Sequence, residues 1–300
     1  MHFLAIALLV CAPINDAAKS PFAADAKLEL LWSEGTFTEG PAWNPQGFLL
    51  FSDIGDRILR FDPATKKVTT FREPSGRANG LVFDSQGRLI AAEGANTGGN
   101  RRISLTAKAG KIRTLADGFR GKRFNSPNDL AIDKQDRVYF SDPRYVGDEP
   151  RDLDFEGVFR IEESGVVTKL ETSAKKPNGL AISPDGKTLY VADTGPARSV
   201  LLALAIQSDG SLKPARVLKD FGDGRGIDGM TVSAKGEIGA AAGGGILAGI
   251  YVYSPEGIPL GFLATPEVPS NVEFGGPNRS TLYITAGKSL YRVETHMSGP

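Results

Sequence analysis

Six polar side chains recur at the start of one repeated phrase, and they are of the types that bind hard metal cations. Each precedes a short hydrophobic stretch that runs into a turn, and in chain order they are Glu39, Asn79, Asn128, Asn178, Asp228 and Asn271. Their successive spacings are 40, 49, 50, 50 and 43 residues. Carboxylate and amide oxygens are the ligands that such cations prefer in proteins. The set therefore predicts metal-assisted chemistry, provided that the fold brings these side chains together.

The period of the repeat and its strand pattern indicate how the six openings meet. In each repeat a strand follows the opening residue, then a turn, a second strand, a loop and a further hairpin, and the turns are predicted at 44–47, 84–87, 133–136, 183–186 and 233–236. A period of this size built from short strands is typical of a propeller, in which each repeat forms one four-stranded blade. Apolar residues nowhere keep a 3.6-residue period over several turns, as a long helix requires. The sequence therefore predicts an all-β, six-bladed β-propeller with the openings around its central channel.

The ends of the chain predict how the ring closes. After Asn271 the last repeat offers only three strands, whereas residues 28–32 form an extra strand ahead of the first repeat. We expect this amino-terminal strand to complete the last blade, because pairing it there removes two open sheet edges. Deleting residues 28–32 should then lower the melting temperature sharply.

Composition limits the partners and the compartment. The chain has 300 residues, with 35 basic and 35 acidic side chains, and this balance predicts that it binds neither nucleic acid nor a membrane surface. An apolar run over residues 3–13 predicts a signal peptide within residues 1–26, with 24–26 as the cleavage signal and secretion or export to the periplasm as the consequence. The predicted propeller domain is 27–300. The single Cys lies in the predicted signal, so no disulfide is expected.

The openings also have a purely structural interpretation. Asn-Gly and Asp-Gly are common turn pairs, and three of the six openings have this form. Glu39 and Asn128 do not fit that interpretation, because Glu has no special turn preference and Asn128 is not followed by Gly. A lining of polar side chains that includes crowded carboxylates instead calls for a cation.

The kind of metal follows from the ligands that the chain lacks. It has only two His, one near each terminus, so zinc or copper sites rich in nitrogen or sulfur are not expected. Oxygen ligands from Glu39, Asn178 and Asp228, with water and Asn128 available to complete the shell, suit a hard divalent cation. Calcium is the first expectation, because mixed carboxylate and amide ligands in irregular geometry suit it best, and magnesium and manganese are the alternatives.

Several motifs together resemble those of the gluconolactonase and senescence-marker-protein (regucalcin) family. The resemblance covers roughly residues 28–293, and the motifs that carry it are Glu39-Gly-Pro, Arg123-Phe-Asn-Ser-Pro-Asn-Asp129, Tyr139-Phe-Ser-Asp-Pro143, Lys176-Pro-Asn-Gly-Leu, Asp228-Gly-Met and Thr281-Leu-Tyr-Ile-Thr285. It implies a six-bladed propeller that holds one divalent cation in its channel and hydrolyses lactones. The cation ligands implied are Glu39, Asn178 and Asp228, with Asn128 near the metal on the substrate side.

The expected reaction is attack of water on a lactone carbonyl that a cation polarises. Asp228 is the predicted general base, although the sequence leaves open whether it abstracts the proton or positions the water. Arg123, Asn125 and Asn128 are predicted to bind hydroxyl groups of a small lactone substrate, and a loop salt bridge is the alternative role for Arg123. The alternative functions are a phosphotriesterase-like hydrolase using the same cation and a non-catalytic binding propeller with a structural ion.

Two stretches are longer than the family resemblance leads us to expect. They are Glu93–Arg101 and Gly243–Gly249. Both are predicted to lie over the mouth of the channel, where they would affect the choice of substrate.

Overall fold

The strands form six four-stranded antiparallel sheets, the blades of a β-propeller. The computed structural model describes residues 20–94, 97–195 and 197–300. In each of the first five blades the strands follow one another in chain order, from an inner strand to an outer edge, and the opening residue lies in the inner strand or, in blade 3, two residues before it. The prediction of an all-β, six-bladed propeller is confirmed.

The strand bounds follow the repeat closely. The first strand is β1 (Glu29–Trp32), and blade 1 contains β2 (Thr38–Asn44), β3 (Phe48–Asp53), β4 (Arg57–Asp62) and β5 (Lys67–Arg72). Blade 2 contains β6 (Ala78–Phe83), β7 (Leu89–Glu93), β8 (Arg102–Thr106) and β9 (Ile112–Ala116). A short hairpin, β10 (Gly118–Phe119) with β11 (Lys122–Arg123), leads into blade 3, which contains β12 (Leu130–Ile132), β13 (Val138–Asp142), β14 (Gly157–Ile161) and β15 (Val167–Leu170).

The second half of the ring repeats this arrangement. Blade 4 contains β16 (Pro177–Ile182), β17 (Thr188–Gly195), β18 (Arg198–Ala205) and β19 (Arg216–Gly222). Blade 5 contains β20 (Ile227–Val232), β21 (Ile238–Ala242), β22 (Gly249–Tyr253) and β23 (Pro259–Ala264). Blade 6 contains β24 (Pro269–Gly275), β25 (Thr281–Ala286), β26 (Ser289–Glu294) and β1.

The five predicted turns between first and second strands are all present. In each, the N–H of the last residue donates to the carbonyl of the first, over 2.8 to 3.0 Å. That last residue has a left-handed φ in every case, in chain order Gly47 (93°), Gly87 (71°), Asp136 (56°), Gly186 (72°) and Gly236 (88°). Gly adopts this conformation without steric cost, and Asp tolerates it better than most residues, which explains why these residues occupy the turn ends.

Hydrophobic side chains hold the blades to one another. Six buried clusters fill the six interfaces between neighbouring blades, including the interface of blade 6 with blade 1. At that last interface Trp43 of blade 1 stacks on Tyr283 of blade 6, with ring centroids 5.5 Å apart. Each blade therefore buries its hydrophobic faces against its two neighbours, and its stability depends on them.

The amino-terminal strand closes the ring as expected. β1 pairs antiparallel with β26, with Glu29 opposite Arg292 and Leu30 opposite Tyr291. Trp32 packs edge-on against Phe51 of blade 1 at a centroid distance of 5.5 Å, so the strand also reaches the neighbouring blade.

Residues ahead of β1 also contact the propeller. Residues 1–19, most of the predicted signal peptide, lie outside the described residues. Phe22 is buried in the cluster between blades 5 and 6, and the carbonyl of Pro21 accepts a hydrogen bond from the N–H of His296. Cleavage at 24–26 would remove these contacts, and the cleavage position stays a prediction. Export itself stays a prediction.

Helical structure is minimal in the described part of the chain. It consists of one 3₁₀ turn, Gly245–Leu247, inside the long loop of blade 5. None of the described residues form a helix with the length and hydropathy that a membrane span requires.

Candidate active site in the central channel

Five of the six opening residues line one cavity on the propeller axis. It has a volume of about 460 Å³ and is lined by Phe37, Glu39, Ile54, Asn79, Asn128, Tyr145, Val146, Asn178, Thr194, Ser199, Arg225, Gly226, Ile227 and Asp228. This volume lies within the ordinary range for small-molecule sites. The predicted metal ligands Glu39, Asn178 and Asp228 are thus together in this cavity, and Asn128 is beside them.

The glycines that follow the openings allow the inner strands to approach closely. A Cβ on Gly179 would lie 2.2 Å from the carbonyl oxygen of Asp228, and one on Gly229 would lie 2.0 Å from the side chain of Asn271. Both distances are far inside van der Waals contact. The Asn-Gly and Asp-Gly pairs therefore lie in inner strands, at register shifts in the pairing with the second strands, and are not hairpin turns.

The carboxylate of Glu39 is buried beside other negative charges. It is 4% exposed, and its Oε2 accepts a hydrogen bond from the N–H of Gly40 at 2.8 Å. Burial, followed by the negative charges of Asp228 and Asp129, holds the pKa of Glu39 well above its usual value. Asn271, the sixth opening, has its side chain within hydrogen-bonding reach of Glu39 and Asp129. A cation nearby would stabilise the ionised form of a carboxyl group crowded in this way.

Asp228 is held from two sides. Its Oδ1 accepts a hydrogen bond from Nδ2 of Asn178 at 2.7 Å, and its Oδ2 accepts one from Nη2 of Arg225 at 2.8 Å. Burial raises the pKa of Asp228, while the positive charge of Arg225 and the hydrogen bond from Asn178 oppose that rise. The carboxylate orientation is therefore fixed by residues of blades 4 and 5.

Asp129, which directly follows the opening residue Asn128, is also buried. Its Oδ2 accepts the backbone N–H of Leu180 at 3.0 Å, which joins blade 3 to blade 4. Burial raises the pKa of Asp129 to about 7. Its carboxylate thus adds to the negative field at Glu39.

Arg123 and Asn125 do not contribute to this cavity. Arg123 is exposed, and its Nη2 donates to the carbonyl of Asn100 at 3.1 Å. The Asn125 side chain is buried and donates to the carbonyl of Phe155 at 2.8 Å. Neither is among the described residues that line the cavity, whereas Asn128 is.

An acidic residue at the end of the second strand braces the loop in three of the blades. Asp142 of blade 3 accepts the backbone N–H groups of Asn125 and Ser126, at 2.8 and 2.7 Å. Asp53 of blade 1 and Asp193 of blade 4 accept paired backbone N–H groups in the same way. These carboxylates fix the loops that lead into the inner strands, and through them the opening residues.

The donor set in the cavity fits a hard divalent cation. Glu39, Asn178, Asp228 and Asn128 offer only oxygen and amide groups, and two of them are carboxylates in a desolvated setting. In the part of the chain that the structure describes, no group of three or more His, Cys, Asp or Glu side chains is arranged to hold a metal. A cation bound here would therefore be held by amides beside two carboxylates, a mixture that calcium accepts.

Comparison with known proteins agrees with this architecture. A family model described as the SMP-30/Gluconolactonase/LRE-like region matches residues 37–288. A gluconolactonase of Zymomonas mobilis is 33% identical over 301 aligned positions, covering 91% of this chain and 82% of that protein. A solved gluconolactonase structure from Xanthomonas campestris has a TM-score of 0.83 at 29% identity and covers 92% of this chain and 91% of that one.

A more distant solved structure supports the fold alone. A regucalcin from Agrobacterium tumefaciens has a TM-score of 0.74 at 21% identity and covers 92% of this chain and 96% of that one.

The chain therefore belongs to the SMP-30/gluconolactonase/LRE-like family. Its curated relatives over most of its length are lactonases, and with them it is classed among the lactone hydrolases.

Two features of the site were missed from the sequence. Arg225 stands in a Gly-rich loop, three residues before Asp228. This closeness to the predicted base was the only feature of the sequence that could have pointed to Arg225. Phe37 and Ile54 of blade 1 and Val146 of blade 3 also line the cavity, although each lies in a loop that the repeat pattern does not mark.

Proposed function

We propose that this protein is a divalent-metal-dependent hydrolase that opens a sugar lactone or a related cyclic ester in the axial cavity. The observation that carries the proposal is the meeting of Glu39, Asn178 and Asp228, from three different blades, at one small-molecule cavity. Membership of a family with gluconolactonases supports the lactone substrate.

Glu39, Asn178 and Asp228 would hold the cation, with Asn128 beside them. Calcium is the preferred ion, with magnesium and manganese as alternatives, and the Agrobacterium regucalcin of the same fold is described as calcium-binding. When bound, the cation would polarise the lactone carbonyl and stabilise negative charge on its oxygen.

The protein's own groups supply orientation and proton transfer. Asn178 and Arg225 fix the two oxygens of Asp228, so the carboxylate keeps one direction while substrate binds. Asp228 accepts the proton of the attacking water as the water oxygen bonds to the carbonyl carbon. The carbon–oxygen bond of the ring then breaks, and the proton passes to the leaving alkoxide to give the open hydroxy acid.

The distinguishing experiment compares two substrate classes on the purified enzyme. We expect glucono-δ-lactone to be hydrolysed with a kcat/KM of about 10⁴ M⁻¹ s⁻¹ or more, in the ordinary range for enzymes. A fluorophosphate should be hydrolysed at least about 100-fold less efficiently, because differences of this size accompany a mismatched site. The uncatalysed opening of the lactone is subtracted with a heat-inactivated sample.

Other results would favour the competing functions. Faster turnover of the fluorophosphate would identify a phosphotriesterase-like hydrolase. No turnover of either substrate, with the cation bound, would indicate a binding propeller with a structural ion.

A further inference from the structure

The cavity has walls of two different characters. Blades 4 and 5 contribute hydroxyl and guanidinium groups, from Thr194, Ser199 and Arg225. Loops of blades 1 and 3 contribute apolar side chains to the lining, and we call this set the apolar wall: Phe37, Ile54 and Val146, with Tyr145. The predicted metal ligands Glu39, Asn178 and Asp228 line the same cavity.

The blade 1 part of the apolar wall is fixed by backbone hydrogen bonds. The N–H of Ile54 donates to the carbonyl of Phe37 at 2.9 Å, and the N–H of Phe37 donates to Oδ1 of Asp53 at 3.2 Å. Ile54 is buried, whereas Phe37 is 41% exposed although it lines the cavity. A large apolar surface is therefore held rigidly where a ligand could cover it.

The blade 3 part is fixed through the phenol of Tyr145. Its hydroxyl hydrogen-bonds to Oγ1 of Thr194 at 2.6 Å, and the ammonium of Lys176 lies 4.6 Å from its ring centre. The hydroxyl of Tyr145, which also lines the cavity, is thus already engaged. Val146 beside it is 49% exposed.

A lactone that carries hydroxyl groups around its ring has little apolar surface to pack against the apolar wall. Hydroxyl groups placed against Phe37, Ile54 and Val146 would lose hydrogen bonds to water and gain none from these side chains. An alkyl or aryl group placed there would remove apolar surface of both ligand and protein from water.

We infer that the preferred substrate is an amphipathic lactone whose ring carries an aliphatic or aromatic substituent packed against the apolar wall. The inference rests on the proposed lactonase function, since the ester must still reach the carboxylates in the cavity. The polar edge of such a ring would face Thr194, Ser199 and Arg225.

The test is a homologous series of δ-lactones with the same ring and growing alkyl groups. The series runs from δ-valerolactone through δ-hexalactone and δ-octalactone to δ-decalactone, with glucono-δ-lactone as the reference. Burial of each methylene should raise kcat/KM by about three- to fourfold while the chain contacts the wall. We expect δ-decalactone to exceed δ-valerolactone by at least about 30-fold and to exceed the reference.

A matched pair of variants locates the effect. Val146→Thr and Val166→Thr make the same near-isosteric exchange at exposed valines in blade 3, but only Val146 lines the cavity. The ratio of kcat/KM for δ-decalactone to that for δ-valerolactone should fall by at least half in Val146→Thr. It should stay unchanged in Val166→Thr. Phe37→Ala should also reduce it, and a failure of that variant to fold leaves the valine pair as the deciding test.

The possible failures are distinguishable. A flat or falling series with normal turnover of glucono-δ-lactone overturns the substrate inference and leaves the lactonase proposal standing. An equal increase of kcat/KM along the series in Val146→Thr and Val166→Thr also overturns the substrate inference. No turnover of any lactone overturns the proposed function, and the inference with it.

Discussion

Glu39→Gln and Asp228→Ala are each expected to lower kcat/KM for lactone hydrolysis by at least about 100-fold, while the propeller stays folded. Loss of a group that supports a metal typically lowers activity by up to this factor, and loss of a direct ligand should lower it further. Asp228 has two roles in the proposal, as ligand and as proton acceptor, so its replacement should have the larger effect. Steady-state kinetics at saturating Ca²⁺ measure both losses.

Stability should separate this effect from misfolding. Glu39 is buried beside the charges of Asp228 and Asp129, so replacing it by a neutral isostere removes a repulsion in the metal-free protein. We expect the melting temperature of Glu39→Gln in chelator to equal or exceed that of the parent. The stabilisation by added Ca²⁺, about 2.7 kcal/mol at 100 times Kd, should be lost in the variant.

Asn178 and Asn79 give a matched control, because both open an Asn-Gly-Leu motif and both line the cavity. Only Asn178 contacts Asp228. Asn178→Ala should therefore lower kcat/KM about as much as Glu39→Gln does. Asn79→Ala should lower kcat/KM by less than about tenfold, which is the smallest loss expected for groups that support a metal from outside its ligand shell. Equal losses would mean that the ligand assignment is wrong.

Removal of the closing strand is expected to have the largest effect on stability. Deleting residues 28–32 breaks the pairing of β1 with β26 and the packing of Trp32 on Phe51, and leaves an open edge on blade 6. Loss of a fully buried Trp costs about 3–5 kcal/mol, and loss of the partly buried Trp32 together with the strand pairing should cost about as much. At roughly 2–4 °C per kcal/mol for a domain near this size, the melting temperature should fall by about 10 °C or more.

Two point variants on β1 test the cause. Trp32→Ala should reproduce much of the loss, whereas Leu30→Ala on the same strand should shift the melting temperature by about 2 °C or less, because Leu30 is 53% exposed. Thermal unfolding followed by circular dichroism measures all three proteins. A deletion that melts at the parent's temperature would show that the ring does not depend on this strand.

The fold could be predicted because its determinants are local and repeated. The spacing of the openings, the left-handed turn residues such as Gly47 and Asp136, and the missing fourth strand after Asn271 are all visible in the sequence. Each is set by backbone conformation or strand pairing within one repeat. The convergence of the openings then follows from the closure of the ring.

The rest of the site depends on how the loops between strands fold, which the repeat pattern does not encode. Arg225 donates to Asp228 and also to the carbonyls of Gly243, in the long loop of blade 5, and Pro269, at the start of β24. Asn125 looked like a substrate ligand from its place near Asn128, but its side chain donates to Phe155 inside blade 3. Phe37 lines the cavity because Asp53 fixes its loop, and nothing in the spacing indicates that.

The most direct test of the central claim is to measure bound metal and lactone hydrolysis on the same sample before and after exhaustive chelation. We expect one divalent cation per chain, loss of glucono-δ-lactone hydrolysis when it is removed, and recovery when Ca²⁺ is restored. Full activity in a sample shown to contain no bound metal would contradict the account.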